Sequence, residues 1–247
     1  MKTAPRMSEP KEFSESGDPI YRHEEPKKDF DFVIGDSENI ETITRHIERY
    51  VGKPKTVFHE LISDLVHIDV HMVAPNEARP YYTLITSGMS DRPMTVPEGY
   101  EELRFAELVI CLPPDWPMSQ EDFKKAENYW PIKLIKFLAR FPHQYKTWLR
   151  FSHTVPNGNP PEVIADTQFC CALLGQPKNF SKDFLELKIS PEKTIYFYSV
   201  LPIYREELEL KLKKGATALW GRFDKLGVSE LVDVSRKNTA QKFLGLF

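Results

Sequence analysis

Eleven glycines in 247 residues leave little material for phosphate-cradling loops, and no Gly-x-Gly-x-x-Gly or Walker sequence occurs. The Gly-x-Ser-x-Gly elbow of serine hydrolases is missing too. His59-Glu60-Leu61-Ile62-Ser63 opens like a zinc-protease helix but has serine where the second histidine belongs. Cysteine is scarce: Cys111, Cys170 and Cys171 lack metal-site spacing and sit in apolar runs, which predicts core packing in a reducing compartment. No stretch approaches the ~20 apolar residues of a membrane helix. The first residues carry charge and no apolar core of a secretory signal, so the expectation is a cytoplasmic protein. Neither sign of charge dominates. The 33 basic and 36 acidic residues leave −3, which excludes a global attraction to nucleic acid or anionic lipid.

What is present is the composition of a globular domain, 41% hydrophobic and 28% charged. Residues 1–30 are rich in Pro, Glu, Lys and Ser and read as a flexible arm, tacked down by Ile20, Tyr21 and Phe30. Residues 31–247 read as one domain. Ile40, Ile43, Ile47 and Val51 form the stripe of a surface helix, capped by Asp36 or Ser37 and ended by Gly52 and Pro54. Val66 to Met72 alternates apolar and polar residues with the two-residue period of a half-buried strand. Tyr81 to Ser87 is a second strand. Leu103 to Leu112, apolar on both faces except Arg104 and Glu107, is a central one.

Two helices are predicted next, one after Ser119 carrying Phe123 and one from Pro131 to Pro142. Strands follow at Thr167 to Leu174, Phe184 to Ile189 and Thr194 to Leu201. Two final helices carry Leu208 and Leu212, stopping at Gly215, and Leu219, Trp220, Phe223 and Leu226, stopping at Gly227. The run Lys211-Leu212-Lys213-Lys214 reads as a solvated helix end. This order implies an α+β fold with a mixed, mostly antiparallel sheet flanked by helices.

Two constellations carry chemistry. Alternation places His67, Asp69 and His71 on one face of a strand, where two imidazoles and a carboxylate suit Zn²⁺ or Fe²⁺. The competing reading, a hydrogen-bonded polar face without metal, is the stronger. The second is Thr86-Ser87-Gly88-Met89-Ser90-Asp91-Arg92. It reads as a rigid turn displaying Met89, Ser90, Asp91 and Arg92 beside Tyr81 and Tyr82, residue types that include those enriched at binding surfaces.

Val57-Phe58-His59-Glu60-Leu61-Ile62-Ser63-Asp64, His67-Ile68-Asp69-Val70 and Leu84-Ile85-Thr86-Ser87-Gly88-Met89-Ser90-Asp91 resemble the bacterial suppressor-of-fused-like proteins. His46-Ile47-Glu48 with Gly52, and Leu201-Pro202-Ile203-Tyr204 with Glu206, Glu207, Lys214 and Gly215, extend the resemblance over roughly Phe30 to Asn238. It implies a single domain without a cofactor. Animal relatives grip a partner peptide as an added strand; of their motif, Gly88, Ser90 and Asp91 are present here, while Leu84 stands where they have a tyrosine. Bacterial members imply an immunity protein that neutralises a toxin by direct binding.

Three functions follow in order of preference. The first is a non-enzymatic protein binder, an immunity protein of a polymorphic toxin system. The second is a regulatory module that takes a partner peptide by strand addition, which requires an uncovered sheet edge near Tyr81–Ser87. The third is a metal-dependent enzyme using His67, Asp69 and His71.

Overall fold

The two-residue and 3.6-residue periods of the sequence are realised as a sheet with helices on both faces. The computed structural model describes residues 9–10, 12–24, 35–59 and 65–241. The strands are β1 (Glu12–Phe13), β2 (Pro19–Ile20), β3 (Thr56–Phe58), β4 (Asp69–Val73), β5 (Tyr82–Ser87), β6 (Phe105–Leu112), β7 (Thr154–Pro156), β8 (Phe169–Gly175), β9 (Glu186–Ser190) and β10 (Lys193–Tyr204). The helices are α1 (Ser37–Tyr50), α2 (Ala126–Tyr145), α3 (Arg205–Lys214) and α4 (Ala216–Leu226). The main sheet runs β3-β4-β5-β6-β10-β8-β7, and β9 pairs with the first half of β10. Among these strands only the β6–β10 pair is parallel. The fold is therefore α+β with a mixed, mostly antiparallel sheet, as the order of periods predicts.

Each face of the sheet is buried for a reason visible in the strand sequences. On one face Val70, Met72, Leu84, Leu108, Ile110 and Val200 pack against Trp130, Ile132, Ile135 and Leu138 of α2. On the other, Ile85, Val109, Cys111, Ile195 and Phe197 meet Ile43 and Ile47 of α1. Farther along that second face, Cys171, Leu173, Leu201 and Ile203 lie under Leu208 of α3 and Leu219 and Phe223 of α4. Each fully buried Ile or Leu contributes about 1.5–3 kcal/mol, so the continuous apolar strands β6 and β8 anchor the sheet. All three cysteines are free and buried. Trp116 closes one end of the core, its Nε1 donating to Asn128 O at 3.0 Å.

Several expectations are corrected. Pro131 and Pro142 both lie inside α2, which starts at Ala126 and continues to Tyr145. Each proline removes one helical donor, a cost of about 3 kcal/mol, but the apolar stripe from Trp130 to Pro142 is buried against the sheet and outweighs it. The helix expected after Ser119 is a single 3₁₀ turn, Asp122–Lys124. There Ser119 Oγ donates to Asp122 Oδ2 at 2.6 Å and accepts from Asp122 N at 3.1 Å, a cap that closes one turn. Strands β3 and β7 have three residues each, too few for alternation to register. Residues 12–20, within the amino-terminal segment, form the β1–β2 hairpin, whose Ser16 N donates to Leu212 O at 3.1 Å. Lys211 is buried rather than solvated and lies 3.7 Å from Asp18 of this hairpin. Phe30 lies outside the described residues.

Candidate functional site

The turn after β5 is built by a glycine and a buried acid. Gly88 has φ +98°, and a Cβ at that position would fall 1.8 Å from the His67 carbonyl oxygen, so only glycine fits. The chain then enters a 3₁₀ turn, Met89–Asp91. Beneath it sits Glu107, the lone acid in the apolar run of β6 and fully buried. Its Oε1 accepts from Ser90 N at 2.9 Å and from Ser90 Oγ at 2.6 Å, and its Oε2 accepts from Thr86 Oγ1 at 2.6 Å. Thr86 Oγ1 also accepts from Leu108 N at 2.8 Å. Burial pushes the Glu107 carboxyl up to about 7, against the opposing pull of the Ser90 and Thr86 hydrogen bonds.

The first turn of α1 completes the arrangement. Asn39 Nδ2 donates to Ser90 Oγ at 3.1 Å and to Asp91 Oδ1 at 2.6 Å. Asn39 Oδ1 accepts from Lys193 Nζ at 3.1 Å, at the start of β10. Asp91 Oδ2 accepts from Asp36 N at 3.0 Å, while Asp36 itself caps α1 by accepting from Glu38 N and Asn39 N. Burial raises the Asp91 carboxyl above its ordinary range. One polar cluster thus joins α1, the turn, β6 and β10.

The six residues predicted to face a partner separate into two places. Tyr81 and Tyr82 precede and begin β5, whereas Met89 to Arg92 follow its end, roughly 17 Å away for a strand of this length. Tyr81 is half-buried on the α1 face and Tyr82 on the α2 face. Met89 and Ser90 are fully buried, so the expected display of these two side chains is corrected: they support the turn from inside. Asp91 is partly buried, and Arg92 is exposed. Strand β5 pairs with β4 on one side and β6 on the other, so Tyr81–Ser87 offers no uncovered edge. The residues that sequence reasoning passed over are Asn39 and Lys193, for which no local signal exists, and Glu107, whose acid in an apolar strand was the available one.

The histidine cluster also differs from its expected membership. Asp69 lies 3.0 Å from His59 (Nδ1 to Oδ2) and 3.2 Å from His67 (Nε2 to Oδ1). His71 turns instead to Ser87, its Nε2 2.9 Å from Oγ, and burial holds it down at about 4. The reason is geometric. Residues two apart along β4 are separated by about 6–7 Å, which parts His71 from Asp69; His67 precedes the strand and is not bound by that spacing, while directly opposed residues on paired strands lie about 4.5–5.5 Å apart. Phe58 pairs with Val70, which sets His59 across from Asp69.

Clefts are shallow. Where β8 and β9 diverge from the same edge of β10, a recess of ≈ 230 Å³ is lined by Phe151, Gln176, Leu185, Glu186, Tyr196 and Tyr198. Among the described residues no helix is long and apolar enough to cross a membrane.

Comparison with known proteins places this geometry in context. The sequence profile of the Suppressor of fused protein (SUFU) family matches residues 64–237. An uncharacterized protein of Ureaplasma parvum serovar 3 is 30% identical over 133 residues, which span 54% of this chain and 62% of that protein. Among solved structures, a SUFU homolog from Neisseria gonorrhoeae superposes with a TM-score of 0.61 at 18% identity, over 84% of this chain and 100% of that one. The Sufu–Fu complex gives a TM-score of 0.58 at 15% identity, over 84% of this chain and 98% of its counterpart.

Proposed function

The chain belongs to the Suppressor of fused protein family, and from that premise we propose that it acts by binding another protein, most concretely as an immunity protein that neutralises a bacterial toxin. The reading is non-enzymatic. The observation that carries it is the inward direction of the chain's polar chemistry. Ser90, Thr86 and Glu107 bond to one another with no exposed surface, so side chains capable of nucleophilic or acid–base work serve to hold a turn in shape. What that turn leaves outside is Arg92, with Asp91 half-exposed beside it. A rigid turn beneath the arginine leaves no loop to order when a partner binds, so the ordering cost is confined to the side chain itself. In the solved Sufu–Fu structure a protein of the same fold is in complex with Fu, which supports protein recognition as the mode of action.

Strand addition remains a second reading, moved to a different edge. Strand β9 pairs only with β10 among the described strands, and the fork between β8 and β9 exposes aromatic side chains that suit an extended peptide.

The test is co-expression with any toxin domain found encoded next to this gene. A stoichiometric complex that survives gel filtration and abolishes toxicity is expected. A toxin that neither co-elutes nor is silenced would remove the immunity reading.

A further inference from the structure

His59 follows the last residue of β3, and His67 and Asp69 bracket the start of β4. The register of the two strands brings one ligand-capable atom from each within 4.8 Å of the others. We propose that His59, His67 and Asp69 form a site for a divalent transition metal of the Zn²⁺ or Co²⁺ class, pinning the end of β3 to β4. Two imidazole nitrogens and a carboxylate oxygen are a donor set these ions favour. Ligand bonds of about 2.0–2.2 Å in a tetrahedral arrangement put ligand atoms about 3.3 Å apart. The two separations from Asp69, 3.0 Å from its Oδ2 to His59 and 3.2 Å from its Oδ1 to His67, already lie near that value. The remaining adjustment falls to His59, whose side chain is 66% exposed and hydrogen-bonded to Asp69 Oδ2.

The asymmetry of burial suits such a site. Asp69 is nearly inaccessible, His67 is one-fifth exposed and His59 faces solvent, so the metal would enter from outside and keep a position open to water. On the same strand as Asp69, the buried Nδ1 of His71 has no hydrogen-bond partner among the described residues. Lys136 opposes a dication, since its ammonium donates to Phe58 O at 3.0 Å, beside the end of β3. The role assigned is structural: the ion clips a three-residue edge strand that hydrogen bonds alone hold weakly. The inference stands apart from partner binding and is tested without any partner.

Co²⁺ titration of the purified chain, followed by visible absorption, reads both stoichiometry and coordination. One equivalent per chain is expected, with the absorption of a four- or five-coordinate ion, and competition by Zn²⁺. His59→Ala, chosen because its ring is exposed and packs little of the core, and checked by circular dichroism, is expected to weaken Co²⁺ on the order of a hundredfold. His67→Gln is expected to do the same. No absorption with the parent chain, or full binding retained in both variants, would overturn the site and leave a hydrogen-bonded His–Asp–His cluster.

Discussion

Ser90 Oγ donates a 2.6 Å hydrogen bond to Glu107 Oε1, and both side chains are fully buried. The relationship turns the Gly88-x-Ser90-Asp91 run inward. Gly88 permits close approach to the His67 carbonyl, Ser90 satisfies a buried acid, and Asp91 receives the backbone of the residue that caps α1. Each of the three has a structural task before any partner arrives.

Loss of the serine hydroxyl should therefore be felt as instability. Ser90→Ala removes one donor from a buried carboxylate and is expected to cost about 1–3 kcal/mol in urea unfolding. Gly88→Ala should cost at least about 3 kcal/mol, because a positive φ and a backbone clash act together. Unfolding midpoints equal to the parent's would remove the argument for an internal lock.

The buried acid also shapes the pH dependence. Glu107 is raised from 4.5 to about 7, so between those values the folded state holds the extra proton. Its contribution is fully present below pH 4.5 and is lost as pH rises through 7, a swing of about 3 kcal/mol. Burial of His71, His143 and His153 acts oppositely, since each is lowered from 6.5 to about 4. Their contribution is present above pH 6.5 and is lost as pH falls toward 4. Three histidines outweigh one acid, so the parent should be less stable at pH 5 than at pH 7. Glu107→Gln removes the opposing term and should steepen that acid loss; parallel profiles for the two proteins would count against the assignment.

At the far end of the molecule, Arg236 forms a forked pair with Glu207, Nη1 to Oε1 and Nη2 to Oε2 both at 2.7 Å. The guanidinium also lies over the rings of Phe169, Tyr204 and Phe223. Arg236→Ala leaves Glu207 buried and unpaired by it, which should cost about 3–5 kcal/mol. Because Cys111 N donates to Glu230 O and Val232 N to Cys111 O, hydrogen exchange at those two amides should accelerate in the variant. Unchanged protection there would show that the carboxy-terminal segment holds its place without the arginine.

Partner binding should respond to Arg92 without any change in folding. Arg92→Glu reverses an exposed charge, so the unfolding midpoint should move by less than about 0.5 kcal/mol. Affinity for the protein partner is expected to fall at least tenfold, read by calorimetry. An unaltered affinity would shift attention to the fork lined by Phe151, Tyr196 and Tyr198.

The sequence by itself determined the faces of the elements: alternation in Val66–Met72 and the spacing of Ile40, Ile43 and Ile47 say which side chains share a face, because those periods are local backbone geometry, but not that β4 is buried on both faces. It also marked Glu107 as out of place in an apolar strand. Tertiary structure alone decided which neighbours those side chains meet. Glu107 finds Ser90 17 positions away, and Asn39 reaches it from 51. His59 displaces His71 beside Asp69 because strand pairing brings opposed residues closer than successive ones on a face. Periodicity assigns a direction to each side chain. Register and strand order, set by long-range pairing, assign its partner.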